Sequence, residues 1–246
     1  MFKLLANKKI VVYGEDGRKD RHSYIASGDW CTVIQTVQIG INQFYEIQYP
    51  TAKGLKIRYL RNLNGFIVNQ NNYRYVKYPA PGYEKATIAS GGCGVCSMLN
   101  AIGSLLGKTI SVPTMAQLSI NNGARVSGGT NMKTLCKVAS NKYGFTYETT
   151  NSISELKYHV ASGGVAICNV AGNGMFSTTG HYIVCVGTLN GLLALLDCGI
   201  YLGKYGSMYP RRKLNIKVSG DVIFSNANVL DDDCIGRSPR YYLLGR

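Results

Sequence analysis

Residues 90–107 read SGGCGVCSMLNAIGSLLG, and this stretch decides how the rest of the chain is read. Val95, Met98, Leu99, Ile102, Leu105 and Leu106 recur at helical spacing, and Gly107 suits the left-handed residue that closes a helix. The segment predicts a buried helix rising out of a glycine-rich turn, Ser90-Gly91-Gly92, with Cys93 as its first residue. At that position the helix dipole and the unpaired N–H groups of the first turn stabilise a thiolate and offer donors to a developing oxyanion. Cys96 lies one turn deeper and is expected to pack as a small apolar residue.

Downstream the pattern continues through short helices into strands. Thr114 is the expected cap of MAQLSINN, Thr130 of NMKTLCKVASNKY and Ser154 of ELKYHVAS. FTYETT, GVAICNV, HYIVCVGTL and LLALLDC read as strands, the last two joined by the turn signal Asn190-Gly191. Counting back from that turn brings the start of one strand beside the end of the other, so His181 and Asp197 become neighbours. A thiol at a helix start, an imidazole to share its proton and a carboxylate to orient the imidazole are the requirements of Cys/His/Asp nucleophilic chemistry. His22, in a basic loop, and His159, inside a helical run, read as ordinary polar residues. Helices followed by an antiparallel sheet make this part α+β.

Upstream, residues 8–78 alternate in short β-rich runs: KKIVVYG, DWCTVIQTVQI, QFYEIQY, GLKIRYLR and GFIVNQ. They suggest a small SH3-like β-barrel, and the prolines of KYPAPGY suggest a boundary near residue 80. The expected organisation is therefore a 1–80 SH3-like domain and an 81–246 domain. The chain has 246 residues, with 27 Lys and Arg against 13 Asp and Glu, a net charge of +14. Each part carries +7, so the excess is spread over the surface and favours a polyanionic partner. No Arg/Lys-aromatic platform or helix-turn-helix is evident, so nucleic acid is not the expected partner. No apolar run reaches the length of a membrane helix, and MFKLLANKKIVVYG lacks a signal-peptide core, so synthesis in a reducing cytoplasm is expected. The eight cysteines, several in apolar runs, read as buried reduced thiols, and nothing in their spacing calls for a metal or cofactor. The tail NVLDDDCIGRSPRYYLLGR offers a last strand; its Asp231–Asp233 triplet lacks calcium-loop spacing and reads as a solvated turn.

The run SGGCGVCSMLNAIGSLLGKTISV resembles the nucleophile motif of the C39-like papain-fold cysteine peptidases. GHYIVCVG followed by LLALLDCG is similar to their histidine and aspartate strands, and Gly128–Leu135 to their second helix; together the likeness spans about residues 83–230. The resemblance implies a papain-like helix-plus-antiparallel-sheet fold and carries the nucleophile to Cys93, the base to His181 and the orienting acid to Asp197. Leader-processing members place a Gln about six residues before the cysteine as an oxyanion donor. Thr87 stands there in this sequence, leaving Thr87 and Ser90 as candidate hydroxyl donors. An SH3-like front joined to such a domain resembles phage lysins, which are made in the cytoplasm and act on the bacterial cell wall after release. That likeness implies a peptidase or amidase acting on peptidoglycan, with anionic wall polymers as further partners and neither membrane insertion nor a cofactor. The alternative is a catalytically inactive wall-binding or phage structural protein that keeps the fold, consistent with the absent Gln.

Overall fold

The computed structural model describes residues 1–207 and 209–246. Six strands come first: β1 (Phe2–Leu5), β2 (Ile10–Tyr13), β3 (Lys19–Ile25), β4 (Trp30–Ile39), β5 (Asn42–Thr51) and β6 (Gly54–Leu60). Then follow α1 (Ile88–Gly91), α2 (Cys93–Leu106), α3 (Val112–Asn121), β7 (Arg125–Val126), β8 (Gly129–Thr130), α4 (Met132–Tyr143), β9 (Thr146–Thr150) and α5 (Ile153–Ala161). The rest comprises β10 (Val165–Val170), β11 (His181–Leu189), β12 (Leu192–Leu196), α6 (Pro210–Asn215), β13 (Ile216–Ser219), β14 (Val222–Ser225), α7 (Ala227–Cys234) and β15 (Tyr241–Gly245). The architecture is α+β around one large antiparallel sheet.

Thirteen strands share that sheet, in the order β13-β14-β12-β11-β1-β4-β5-β6-β2-β3, with β10, β15 and β9 added beside β11. The branch lies on β11. Its first half pairs with β10, from Val170↔His181 to Ala166↔Cys185, and beyond a bulge Phe2 of β1 pairs with Gly187. Gly187 has φ 149°, and a Cβ there would come within 2.7 Å of the Met1 carbonyl and of Phe2, so only glycine lets β1 approach.

The front strands do not close into the expected barrel. They form an open run whose ends are β3 and β1, because β1 is taken up by β11 instead. Across residue 80 the core also continues: Phe2, Leu4, Val33, Ile47 and Leu60 belong to the same buried cluster as Val95, Met98, Ile102 and Val184. A second cluster, with Leu156, Val160, Cys168, Ile183, Leu195 and Leu230, covers the other face under α5 and α7. Strands β10 and β11 are thus buried on both faces, which is why GVAICNV and HYIVCVG are apolar without alternation.

The helix starts differ from expectation by one to three residues. Ser111, not Thr114, caps α3 and accepts the Thr114 N–H; Pro113 fits inside the first turn, where its missing N–H costs nothing. Asn131 caps α4 in place of Thr130, and Ser152 caps α5 in place of Ser154. GFIVNQ forms no strand, and only a short 3-10 turn follows at Gln70–Asn72. Residues Asp231–Asp233 are not a solvated turn but the end of α7. The buried Asp233 carboxylate accepts the N–H groups of Met175 and Phe176 at 2.8 Å each, and Asp231 pairs with Arg240. The tail does supply a strand, β15, between β10 and β9. Among the described residues no helix is long and apolar enough to cross a membrane.

Candidate active site

Helix α2 is buried along nearly its whole length and closes at Gly107 in the left-handed conformation. Its start is fixed by close packing. A Cβ on Gly94 would meet Thr130 Cβ at 2.5 Å, so the glycine after Cys93 lets the helix press on β8. Thr130 Oγ1 and Ser119 Oγ hydrogen-bond the buried Tyr78 hydroxyl. Arg125 stacks on the same ring and donates to the carbonyls of Tyr78 and Gly129. Cys93 is the half-buried exception among eight unpaired cysteines; the other seven are buried.

The hairpin closes at Asn190-Gly191 as expected, with Leu189 opposite Leu192 and Val184 opposite Leu196. That register carries Asp197 to the strand end beside His181, whose Nε2 lies 2.8 Å from Asp197 Oδ1. His181 is 8% exposed and Asp197 fully buried. The second ring nitrogen is left for the sulfurs of Cys93 and Cys198, both within hydrogen-bonding reach of the imidazole.

The electrostatics follow from this packing. Burial pushes the Cys93 thiol up, but the hydrogen bond and charge of His181, with the backbone N–H groups of Tyr182 and Gly94, bring it below the usual thiol value. Burial likewise opposes an imidazolium at His181; the Cys198 sulfur, the Asp197 hydrogen bond and the Cys93 sulfur outweigh it and hold the group well above the ordinary histidine value. Cys96 is pushed far up by burial and by the neighbouring Cys198 and Cys93. It is a packed thiol, as its depth in the helix implied.

No known protein family, curated protein or solved structure matches this chain. The site's chemistry therefore stands on its own geometry.

Five neighbours of the site carry no sequence signal of their own. Lys204 Nζ and the Tyr205 hydroxyl each donate to Asp197 Oδ2 at 2.6 Å, and Gly199 N–H donates to Oδ1. Burial alone would raise the Asp197 carboxyl, yet His181 and Lys204 hold it well below the usual carboxylate range. Cys198 fills the corner between the helix and the strand end, donating to the Cys93 carbonyl at 3.4 Å. Gln70 joins the same corner: its N–H donates to the Cys198 carbonyl, and its side-chain amide donates to Ala89 O. Lys204 and Tyr205 sit in a glycine-flanked loop and Gln70 lies more than a hundred residues from Asp197, so spacing alone does not connect them.

Thr87 caps α1, and the exposed Ser90 hydroxyl is spent on Thr87, accepting its N–H at 2.9 Å and donating to its carbonyl at 3.0 Å. His22 and His159 lie elsewhere: His22 stands on strand β3 rather than in a loop, and His159 is bonded to the Leu244 carbonyl. A cavity of about 990 Å³ lies between the loop that precedes β11, α6 and α7, lined by Asn173, Thr178, Arg211 and Asp232 among others. Neither His181 nor Cys93 lines it.

Proposed function

We propose that the chain is a cysteine hydrolase that cleaves peptide or amide bonds in bacterial peptidoglycan, in the manner of a phage lysin. The observation that carries the reading is the buried 2.8 Å His181–Asp197 hydrogen bond beside a helix-initial thiol whose proton His181 draws away. In this reaction the Cys93 thiolate attacks the scissile carbonyl, and His181 passes its proton to the departing amine as the C–N bond breaks. Water then attacks the thioester, giving its proton to His181, and the released acid leaves the thiol free again. N–H groups at the start of α2 face the developing oxyanion. With Ser90 committed to the cap, the side-chain amide of Gln70, which has a second N–H to offer, takes the donor role in preference to Thr87 or Ser90.

The choice of peptidoglycan rests on the resemblance of the motifs and on the +14 surface, which suits a wall rich in anionic polymers. The test is loss of turbidity of purified walls together with iodoacetamide labelling of Cys93. Parent protein should clear the walls and label at Cys93, and His181→Ala should suppress both. A Cys93 that labels no faster than Cys96, or a Cys93→Ala protein that clears walls like the parent, overturns the assignment.

A further inference from the structure

The loop 235–240, between α7 and β15, crosses the ends of β10 and β11, where Asn169 pairs with Tyr182 and Val170 with His181. It is tied down: Asn169 N–H donates to the Arg240 carbonyl at 2.8 Å, Asn169 Nδ2 to the Pro239 carbonyl, and Arg237 N–H to the Cys234 carbonyl. Its two arginines are treated differently. Arg240 is neutralised by Asp231 at 2.9 Å. Arg237 has no ion pair and no side-chain hydrogen bond among the described residues, and its buried Nε is unsatisfied.

The Arg237 guanidinium lies against Gly180, the residue immediately before His181. A Cβ on Gly180 would meet Nη2, so the guanidinium sits directly on this glycine. Gly180 lies two residues before Tyr182 at the mouth of β11, and the Arg237 charge acts on the Tyr182 phenol. Tyr182 packs with the α2 side of the core, and its backbone N–H reaches the Cys93 sulfur. An unneutralised guanidinium therefore lies beside the residue whose backbone N–H reaches Cys93. A fork of N–H donors without a protein acceptor matches a carboxylate in two-point fashion.

We propose that Arg237 binds a free carboxylate of the peptide substrate next to the bond presented to Cys93. The assignment rests on Cys93 being the nucleophile, and it makes the substrate class an acidic peptide.

Cys93-directed reagents of graded length test it without requiring turnover: iodoacetyl-glycine and iodoacetyl-glycylglycine, each as free acid and as carboxamide. The rate of Cys93 alkylation is followed by mass spectrometry in the parent, Arg237→Gln and Arg237→Lys proteins at fixed salt. The acid-to-amide rate ratio should fall about tenfold in Arg237→Gln for at least one spacer, with amide rates unchanged, and should be partly restored in Arg237→Lys. A second measurement uses the parent alone: N-acetylglycylglycine should protect Cys93 from iodoacetamide better than its amide does. Equal ratios in parent and Arg237→Gln, or equal protection by acid and amide, would overturn the proposal while leaving the nucleophile intact. A folded parent in which Cys93 reacts with none of the reagents would overturn the nucleophile assignment, and the carboxylate site with it.

Discussion

Asp197 is the residue on which the site's charges meet, because its two oxygens accept from a histidine, a lysine, a phenol and a backbone N–H. Lys204 offsets the buried carboxylate whether or not His181 is charged, which leaves the imidazole free to give up its proton. Lys204→Met should therefore raise the His181 pKa further and move the alkaline limb of the rate profile to higher pH, with wall clearance as the readout. Asp197→Asn should lower the rate on the order of 10³–10⁴-fold and shift that limb to lower pH. It also strands the buried Lys204 cation, so urea unfolding should show a loss of about 3–5 kcal/mol. The parent profile should be bell-shaped. Its acid limb lies below the ordinary thiol value because Cys93 is lowered, and its alkaline limb above the ordinary histidine value because His181 is raised. The same groups couple to stability. His181 stabilises the fold fully below its unfolded value, and this is lost as pH rises through its raised folded value. Asp197 stabilises above the unfolded carboxylate value, and this is lost as pH falls toward its depressed one. Cys93→Ala should fold normally with hydrolysis reduced by roughly 10³-fold or more, while Cys96→Ala keeps most of it.

The elements that bring these residues together were legible to different degrees. Helix α2 and the β11–β12 hairpin announce themselves, one by a 3.6-residue stripe closed by Gly107, the other by Asn190-Gly191 between two apolar runs. Their junction at His181 and Asp197 follows from counting. Caps slipped because Ser111, Asn131 and Ser152 compete with equally suitable neighbours, and choosing between such neighbours requires the tertiary path. Strands β1, β3, β13 and β14 and helices α6 and α7 leave no clear signal in the sequence, since short elements owe their form to what they pack on. The acidic end of α7 was misread because a lone carboxylate binding two distant N–H groups leaves no local pattern. Two glycines give element-level tests. Gly94→Ala should displace the start of α2 from β8 and reduce Cys93 alkylation, whereas Gly187→Ala should destabilise by about 1–3 kcal/mol in urea by pushing β1 away, with little change in Cys93 reactivity.

For the molecule as a whole, the joining of the front strands to β11 changes what a truncation is expected to do. A boundary at residue 80 suggests separable halves, but Phe2, Leu4 and Ile47 share a core with α2. Residues 81–246 alone should therefore expose that face and lose cooperative thermal unfolding, which differential scanning calorimetry reads directly. The +14 surface has a separate signature: wall binding should weaken between about 0.05 and 0.5 M salt, as the Debye length falls roughly threefold.

The Phe2–Gly187 pairing also sets a timetable. On the ribosome β1 emerges well before β11, because Phe2 and its partner Gly187 lie far apart in sequence. At roughly 5–20 residues per second the wait is about 10–40 s. The β4–β5 and β5–β6 hairpins need no such delay, since their partners adjoin in sequence. One edge of a nascent sheet must therefore stand open until β11 arrives, the condition under which strands from neighbouring polysomal chains find each other. Slower translation should lower the soluble yield unless a chaperone shields that edge.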